Sequence, residues 1–164
     1  MSFEYRIATP EDLEQLWAYN IARHPDEPAW VRWKREFIDY NRKGQGITFA
    51  VICDGEAVGE GTLMISPECK PVLGHPELAD GKTVGNINAL RIRKEYEGQG
   101  HISYMVRLLE ERAKEMGIEK LTIGVEANES RNLAIYLHWG YNRLVSWEQE
   151  EGTLVLYYEK MLTT

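Results

Sequence analysis

Gly98-Gln99-Gly100 stands between an apolar run, Val84 to Ile92, and a stretch with apolar residues at Ile102, Met105, Val106, Leu109, Ala113 and Met116. Spacings of three, one, three, four and three put this second set on one stripe of a helix. A strand that ends in a glycine loop at a helix N-terminus can hold a phosphate. The helix offers unpaired N–H groups and about half a positive charge, and glycine lets an anion approach the backbone. Ser103 stands where a third glycine would complete a dinucleotide-binding fingerprint, and no Gly-Lys-Ser/Thr follows, so neither a Rossmann unit nor a P-loop is indicated. Phosphate binding and a plain strand-to-helix turn both stay open.

The preceding strand changes phase. Small or apolar residues stand at Gly85, Ile87 and Ala89, then at Leu90 and Ile92. A period of two that slips by one reads as a β-bulge, while a strand buried on both faces would need no alternation.

These residues must be positioned by the elements around them. Phe3 to Ala8 reads as a strand, and Thr9-Pro10-Glu11-Asp12 as a helix start with Thr9 as N-cap. Leu13, Leu16, Trp17 and Ile21 form that helix's buried stripe. A second helix is expected from about Pro28 to Tyr40, with Trp30, Trp33 and Phe37 at helical spacing. Arg32, Lys34, Arg35, Arg42 and Lys43 make a basic island, read as solvated surface first and as an anion site second. Ile47 to Cys53, an Asp54-Gly55 turn and Ala57 to Ile65 form a hairpin. Pro67 to Thr83 shows no periodicity, and a segment of that length is usually functional or mobile; it is expected to lie over the acceptor side of a site. Leu121, Ile123 and Val125 alternate as a strand, a helix runs from Leu133 to Trp139, and strands over Tyr141 to Gln149 and Thr153 to Met161 close the chain. This order gives a mixed sheet flanked by helices.

The totals narrow the function. A chain of 164 residues with 43% hydrophobic and 27% charged residues is expected to form one domain, 1–164. A net charge of −7 and an isoelectric point near 5.2 argue against nucleic acid as a partner. Cys53 and Cys69 have no metal or disulfide spacing, and no apolar run approaches a membrane span. With no leader segment evident, the expected setting is cytoplasmic, without a membrane partner, and a homodimer is compatible with the sequence.

Strand, glycine loop and helix together resemble the acetyl-CoA-binding core of the GNAT (GCN5-related) N-acetyltransferases. The family pattern after its bulged fourth strand is Gln/Arg-x-x-Gly-x-Gly/Ala, and the matching window is Glu97-Gly98-Gln99-Gly100-His101-Ile102. Gly100 agrees, Glu97 replaces Gln/Arg, and Ile102 replaces Gly/Ala. Glu97 is therefore expected to point outward while its backbone faces the cofactor. Val125 to Tyr141, containing Asn128, Ile135-Tyr136 and Gly140-Tyr141, is similar to the family's later signature. The resemblance covers roughly Val84 to Leu162. It implies an α/β (α+β) fold: a mixed, mostly antiparallel sheet of about seven strands with a bulged fourth strand, and about four helices.

The resemblance also implies roles. The co-substrate would be acetyl-CoA, with the backbone of Leu90, Arg91 and Ile92 along its pantetheine arm and supplying the N–H for the oxyanion. N–H groups of Gly98, Gln99, Gly100, His101, Ile102 and Ser103 would hold the pyrophosphate, joined by the Ser103 hydroxyl. Asn128 would bond the pantetheine, with Asn132 the alternative, and Arg131 would reach the adenosine phosphate or be surface. Tyr136 takes the position of the general acid that protonates the leaving thiolate. No base is assigned: Asn86 and Asn88 stand where many members carry a glutamate, leaving Glu60, Glu126, His138 or a water relay. Trp30 or Trp33 would line the acceptor site. The expected activity is transfer of an acetyl group, through a tetrahedral intermediate, to a primary amine of a small molecule. The alternatives are a non-catalytic acyl-CoA-binding or regulatory protein and a protein N-terminal or lysyl acetyltransferase.

Overall fold

The computed structural model describes residues 2–150 and 152–162. Along the chain run β1 (Phe3–Ile7), α1 (Pro10–Ala22), α2 (Ala29–Lys43), β2 (Gly46–Cys53), β3 (Glu56–Met64), β4 (Val84–Ile92), α3 (His101–Glu115), β5 (Lys120–Glu126), α4 (Ser130–His138), β6 (Arg143–Glu150) and β7 (Thr153–Met161). The seven strands form one mostly antiparallel sheet in the order β1-β2-β3-β4-β5-β7-β6. The chain packs as two compact units: one holds the residues up to Thr62 with Ala89–Leu109, the other Leu63–Asn88 with the residues from Glu110 onward.

In the first unit, α1 opens with a reciprocal cap. Thr9 Oγ1 accepts the Asp12 N–H at 3.1 Å and Asp12 Oδ2 accepts the Thr9 N–H at 3.0 Å. Burial works against the Asp12 carboxylate, but the Arg6 fork and these bonds outweigh it and hold its pKa below the ordinary value. Helix α2 extends to Lys43, beyond the expected Tyr40, because its stop is Gly44 in the left-handed region at φ +73°. The Asp54-Gly55 hairpin turn has φ +49° and +86°, the primed geometry its sequence demands. Leu16 buries against Ala50, Ile52 and Ala57. On β3 the small residues admit neighbours: a Cβ on Gly61 would meet Leu90 Cδ2 at 2.8 Å and Met105 Cγ at 3.1 Å. Of the basic island, Lys34 pairs with Glu14, and Arg42 and Lys43 pair with Asp39, as a solvated surface would.

In the second unit, β4 pairs in parallel with β5 from Val84↔Lys120 to Ile87↔Ile123, and β5 pairs antiparallel with β7. Gly124 leaves room for the Tyr157 ring, whose Cε1 lies 2.8 Å from where a Cβ would stand. The segment after β3 is packed rather than an open flap. Cys69, Val72, Leu78 and Ala79 are buried, and a 3-10 turn covers Lys70–Val72. Thr122 Oγ1 donates to Leu78 O at 2.8 Å, and Asp80 accepts the N–H groups of Lys82, Thr83 and Val84. Helix α4 starts at Ser130, earlier than expected, because its polar first turn carries no hydrophobic period. Strand β6 starts at Arg143 rather than Tyr141. The Tyr141 side chain is instead fully buried, donating to Glu110 Oε2 at 2.7 Å. Both cysteines are buried and neither is in a disulfide, and burial pushes the Cys69 thiol up to about 11. Among the described residues no helix is long and apolar enough to cross a membrane.

Candidate active site

The phase slip in β4 has a backbone cause: Ala89 sits at φ +55°, in the left-handed region. A non-glycine residue there, in mid-strand, re-aims the residues that follow. Asn86 and Asn88 precede it. Asn86 is buried and donates to Thr122 Oγ1 at 3.0 Å, and Asn88 Nδ2 donates to Asn86 Oδ1 at 3.3 Å. These two amides are committed to structural bonds.

Leu90, Arg91 and Ile92 follow, half-buried, and lead through a 3-10 turn at Lys94–Tyr96 into the glycine loop. Glu97, Gly98, Gln99 and Gly100 are exposed. Gly98 and Gly100 have φ of +76° and +87°, and a Cβ added to either would meet no atom within 4 Å. The space beside both glycines is therefore open, as backbone that an anion approaches must be. The first helical bond of α3 runs from the Tyr104 N–H to Gly100 O at 3.0 Å. The N–H groups of His101, Ile102 and Ser103 are left without an intrahelical acceptor.

The loop is anchored from behind. His101 is buried; Tyr5 Oη lies 2.6 Å from its Nδ1 and Gln99 Oε1 lies 3.2 Å from its Nε2. A glutamine carbonyl oxygen only accepts, so Nε2 carries the proton and, in the neutral ring, Nδ1 accepts from the tyrosine hydroxyl. Phe3 packs on the same imidazole, ring centroids 4.3 Å apart. Sequence reasoning placed the His101 backbone here but not its side chain.

Glu60, one of the candidate bases, is 1% exposed and sits in a polar cluster of the first unit that the sequence did not foresee. Its Oε2 accepts from Asn20 Nδ2 at 3.0 Å and from Arg91 Nε at 3.3 Å. The Arg91 guanidinium lies 5.0 Å from the ring centroids of both Trp17 and Trp30. Trp30 stacks on His24 at 4.0 Å and meets Trp33 edge-on at 5.1 Å. Three polar atoms here, Glu60 Oε1, Arg91 Nη2 and Trp17 Nε1, are buried without a partner. Each such atom costs about 1–3 kcal/mol. The available signal was Gly59-Glu60-Gly61, an acid between glycines inside an apolar run.

The second unit carries the remaining expected groups. Tyr136 is half-buried on α4, its ring 5.7 Å from that of Trp139. Burial pushes its phenol above the ordinary value, and the Glu129 carboxylate adds to the shift. Glu126 shares a proton-holding contact with Glu129, which raises its pKa, aided by burial and by like charge. Asn128 and Arg131 are exposed, while Asn132 donates to Glu129 Oε2. His138 is exposed at the end of α4. The structure thus gathers Leu90 to Ile92 and Gly98 to Ser103 in one unit, and Asn128 to Tyr136 in the other.

A glycine loop opening a helix behind an interrupted strand, within this strand order, is an architecture shared with solved N-acetyltransferases. The fold is similar to an N-acetyltransferase from Staphylococcus aureus Mu50, at TM-score 0.72 and 14% identity over 99% of this chain and 100% of the other. It is also similar to the PaiA N-acetyltransferase from Thermoplasma acidophilum solved with coenzyme A, at TM-score 0.64 and 19% identity over 98% and 99%. A third likeness is to the ribosomal-protein-S18-alanine N-acetyltransferase from Escherichia coli, at TM-score 0.72 and 13% identity over 99% and 96%. No curated protein matches the sequence. The chain belongs to the acetyltransferase (GNAT) family, whose family model matches residues 11–141.

Proposed function

We propose that the protein is a cytoplasmic enzyme that moves an acetyl group from acetyl-CoA to the primary amine of a small molecule. The observation that carries the reading is the open loop at Gly98 and Gly100, with positive φ and free space where side chains would stand, feeding the N-terminus of α3. Its geometry fits a pyrophosphate, whose charge the N–H groups of His101, Ile102 and Ser103 would meet. Glu97 is exposed, which suits a carboxylate in a position where the family pattern has Gln or Arg.

Bound acetyl-CoA supplies the acyl thioester. The backbone of Leu90, Arg91 and Ile92 runs beside its pantetheine arm and offers an N–H to the carbonyl oxygen as negative charge develops there. In the transfer the amine nitrogen bonds to the acyl carbon, the carbon–sulfur bond breaks, the amine nitrogen releases one proton to solvent water, and the sulfur gains one from an acid that water then reprotonates. Tyr136 donates that proton to sulfur. Its raised pKa keeps it protonated through neutral pH, and donation to a thiolate of conjugate acid near ~8.5 is uphill, so it must accompany thiol departure. Asn128 bonds the pantetheine, and Arg131 pairs with the adenosine phosphate.

Calorimetric titration with acetyl-CoA, with dephospho-CoA and NADH as controls, tests the reading. Binding of acetyl-CoA over both controls, followed by thiol release with an amine from a panel that includes peptides, supports it. Binding without turnover would favour a non-catalytic acyl-CoA-binding role, and no binding would remove the phosphate-loop assignment.

A further inference from the structure

Glu60 Oε1, Arg91 Nη2 and Trp17 Nε1 form a set of one acceptor and two donors with no partner in the protein. They belong to one contact cluster: Glu60 Oε2 lies 3.3 Å from Arg91 Nε, and the Arg91 guanidinium lies 5.0 Å over the rings of Trp17 and Trp30. Native interiors hold few such atoms, and several together ask for a common occupant. That occupant must accept from two N–H groups, one of them cationic, and donate to one carboxylate oxygen. Charge narrows it further. Glu60 and Arg91 already neutralise each other, so a ligand with only a cation meets a paired carboxylate, and one with only an anion meets a paired guanidinium. A group carrying both charges one carbon apart satisfies all three atoms and keeps the cluster neutral.

We propose that the acyl acceptor is a free α-amino acid, its carboxylate held by Arg91 Nη2–H and Trp17 Nε1–H and its amino group by Glu60 Oε1. The inference rests on the acetyltransferase reading for its role, while the unpartnered atoms and the contacts among their side chains are observed independently of that reading. Two N–H donors, one of them charged, match the two oxygens of a carboxylate better than the single oxygen of a peptide carbonyl. Asn20, donating to Glu60 Oε2 at 3.0 Å, occupies the other carboxylate oxygen and leaves Oε1 as the one facing an occupant.

The test titrates the full chain with the common amino acids, their amides, the decarboxylated amines and short peptides. Tryptophan fluorescence and calorimetry read binding, with and without coenzyme A, while thiol release from acetyl-CoA reads turnover. The expected result is at least one free amino acid that binds, and is acetylated, tenfold or more better than its amide or its decarboxylated amine. Glu60→Gln and Trp17→Phe should each raise its dissociation constant, with acetyl-CoA affinity as the control for intact folding. Equal binding of the amide and the decarboxylated amine would overturn the proposal. So would a preference for peptide N-termini, or the absence of any amino acid binding, in which case ordered water fills the cluster. Acetyl-CoA binding and turnover without carboxylate selectivity would remove this inference and leave the acetyltransferase reading. Amino acid binding without acetyl-CoA binding would do the reverse.

Discussion

The Tyr5 hydroxyl donates to His101 Nδ1 across 2.6 Å, tying the first strand to the first residue of α3. The Gln99 carbonyl oxygen at Nε2 sets the His101 tautomer and leaves Nδ1 to accept from the tyrosine, and the two bonds together hold the glycine loop from behind. Tyr5→Phe removes one hydrogen bond, worth about 0.5–1.5 kcal/mol, and should weaken acetyl-CoA binding by roughly two- to tenfold. His101→Ala, which also removes the ring packed on Phe3, should weaken it further. Unchanged dissociation constants by calorimetry would show that the loop needs no such anchor.

Gly100 separates strain from blockage. At φ +87° a valine costs about 1–2 kcal/mol in the left-handed region, yet its Cβ meets no protein atom within 4 Å. Gly100→Val should therefore fold with a modestly lower Tm while losing acetyl-CoA binding, because its side chain fills the cradle. Normal affinity in that variant would refute the pyrophosphate assignment.

Tyr136→Phe should lower kcat by ~10²-fold or more with acetyl-CoA affinity little changed, as loss of a general acid does. The pH profile sharpens this. Burial and Glu129 raise the phenol above its ordinary pKa, so its proton is retained through neutrality and lost only in strong alkali. A falling limb of kcat below pH ~9 that vanishes in the variant would contradict the raised value. An unchanged kcat would remove the role.

Asp80 orders the packed segment before β4 by accepting three backbone N–H groups and the Thr83 hydroxyl at 2.7–2.9 Å. Burial opposes its charge, but these bonds prevail and hold its pKa well below the usual carboxylate range. A depressed folded pKa contributes stability that is present above the unfolded value, ~3.9, and is lost as pH falls toward the folded one. Asp80→Asn should lower Tm at neutral pH and flatten its decline below pH ~4. Parallel Tm curves for the two proteins across that range would show that other carboxylates govern acid unfolding.

Local sequence determined what local physics controls. Thr9, Pro10 and Asp12 specify a capped helix start, Asp54-Gly55 specifies a hairpin turn, and the slip between Ala89 and Leu90 marks the strand irregularity, because each depends on residues adjacent in the chain. Glu97 to Ile102 and Val125 to Tyr141 carried the family resemblance for the same reason. Only the tertiary structure decided which distant side chains meet. Glu60 on β3, Asn20 on α1 and Arg91 on β4 converge because three elements pack there, and no period in the sequence encodes a contact between residues 31 or 40 positions apart. The same holds for Tyr5 and His101, separated by 96 positions. The segment from Pro67 to Thr83 lacks periodicity yet is packed, since Cys69, Val72, Leu78 and Ala79 bury singly rather than on a repeating face. Burial without regular structure leaves no pattern to read; it arises only when the rest of the chain supplies a surface to cover.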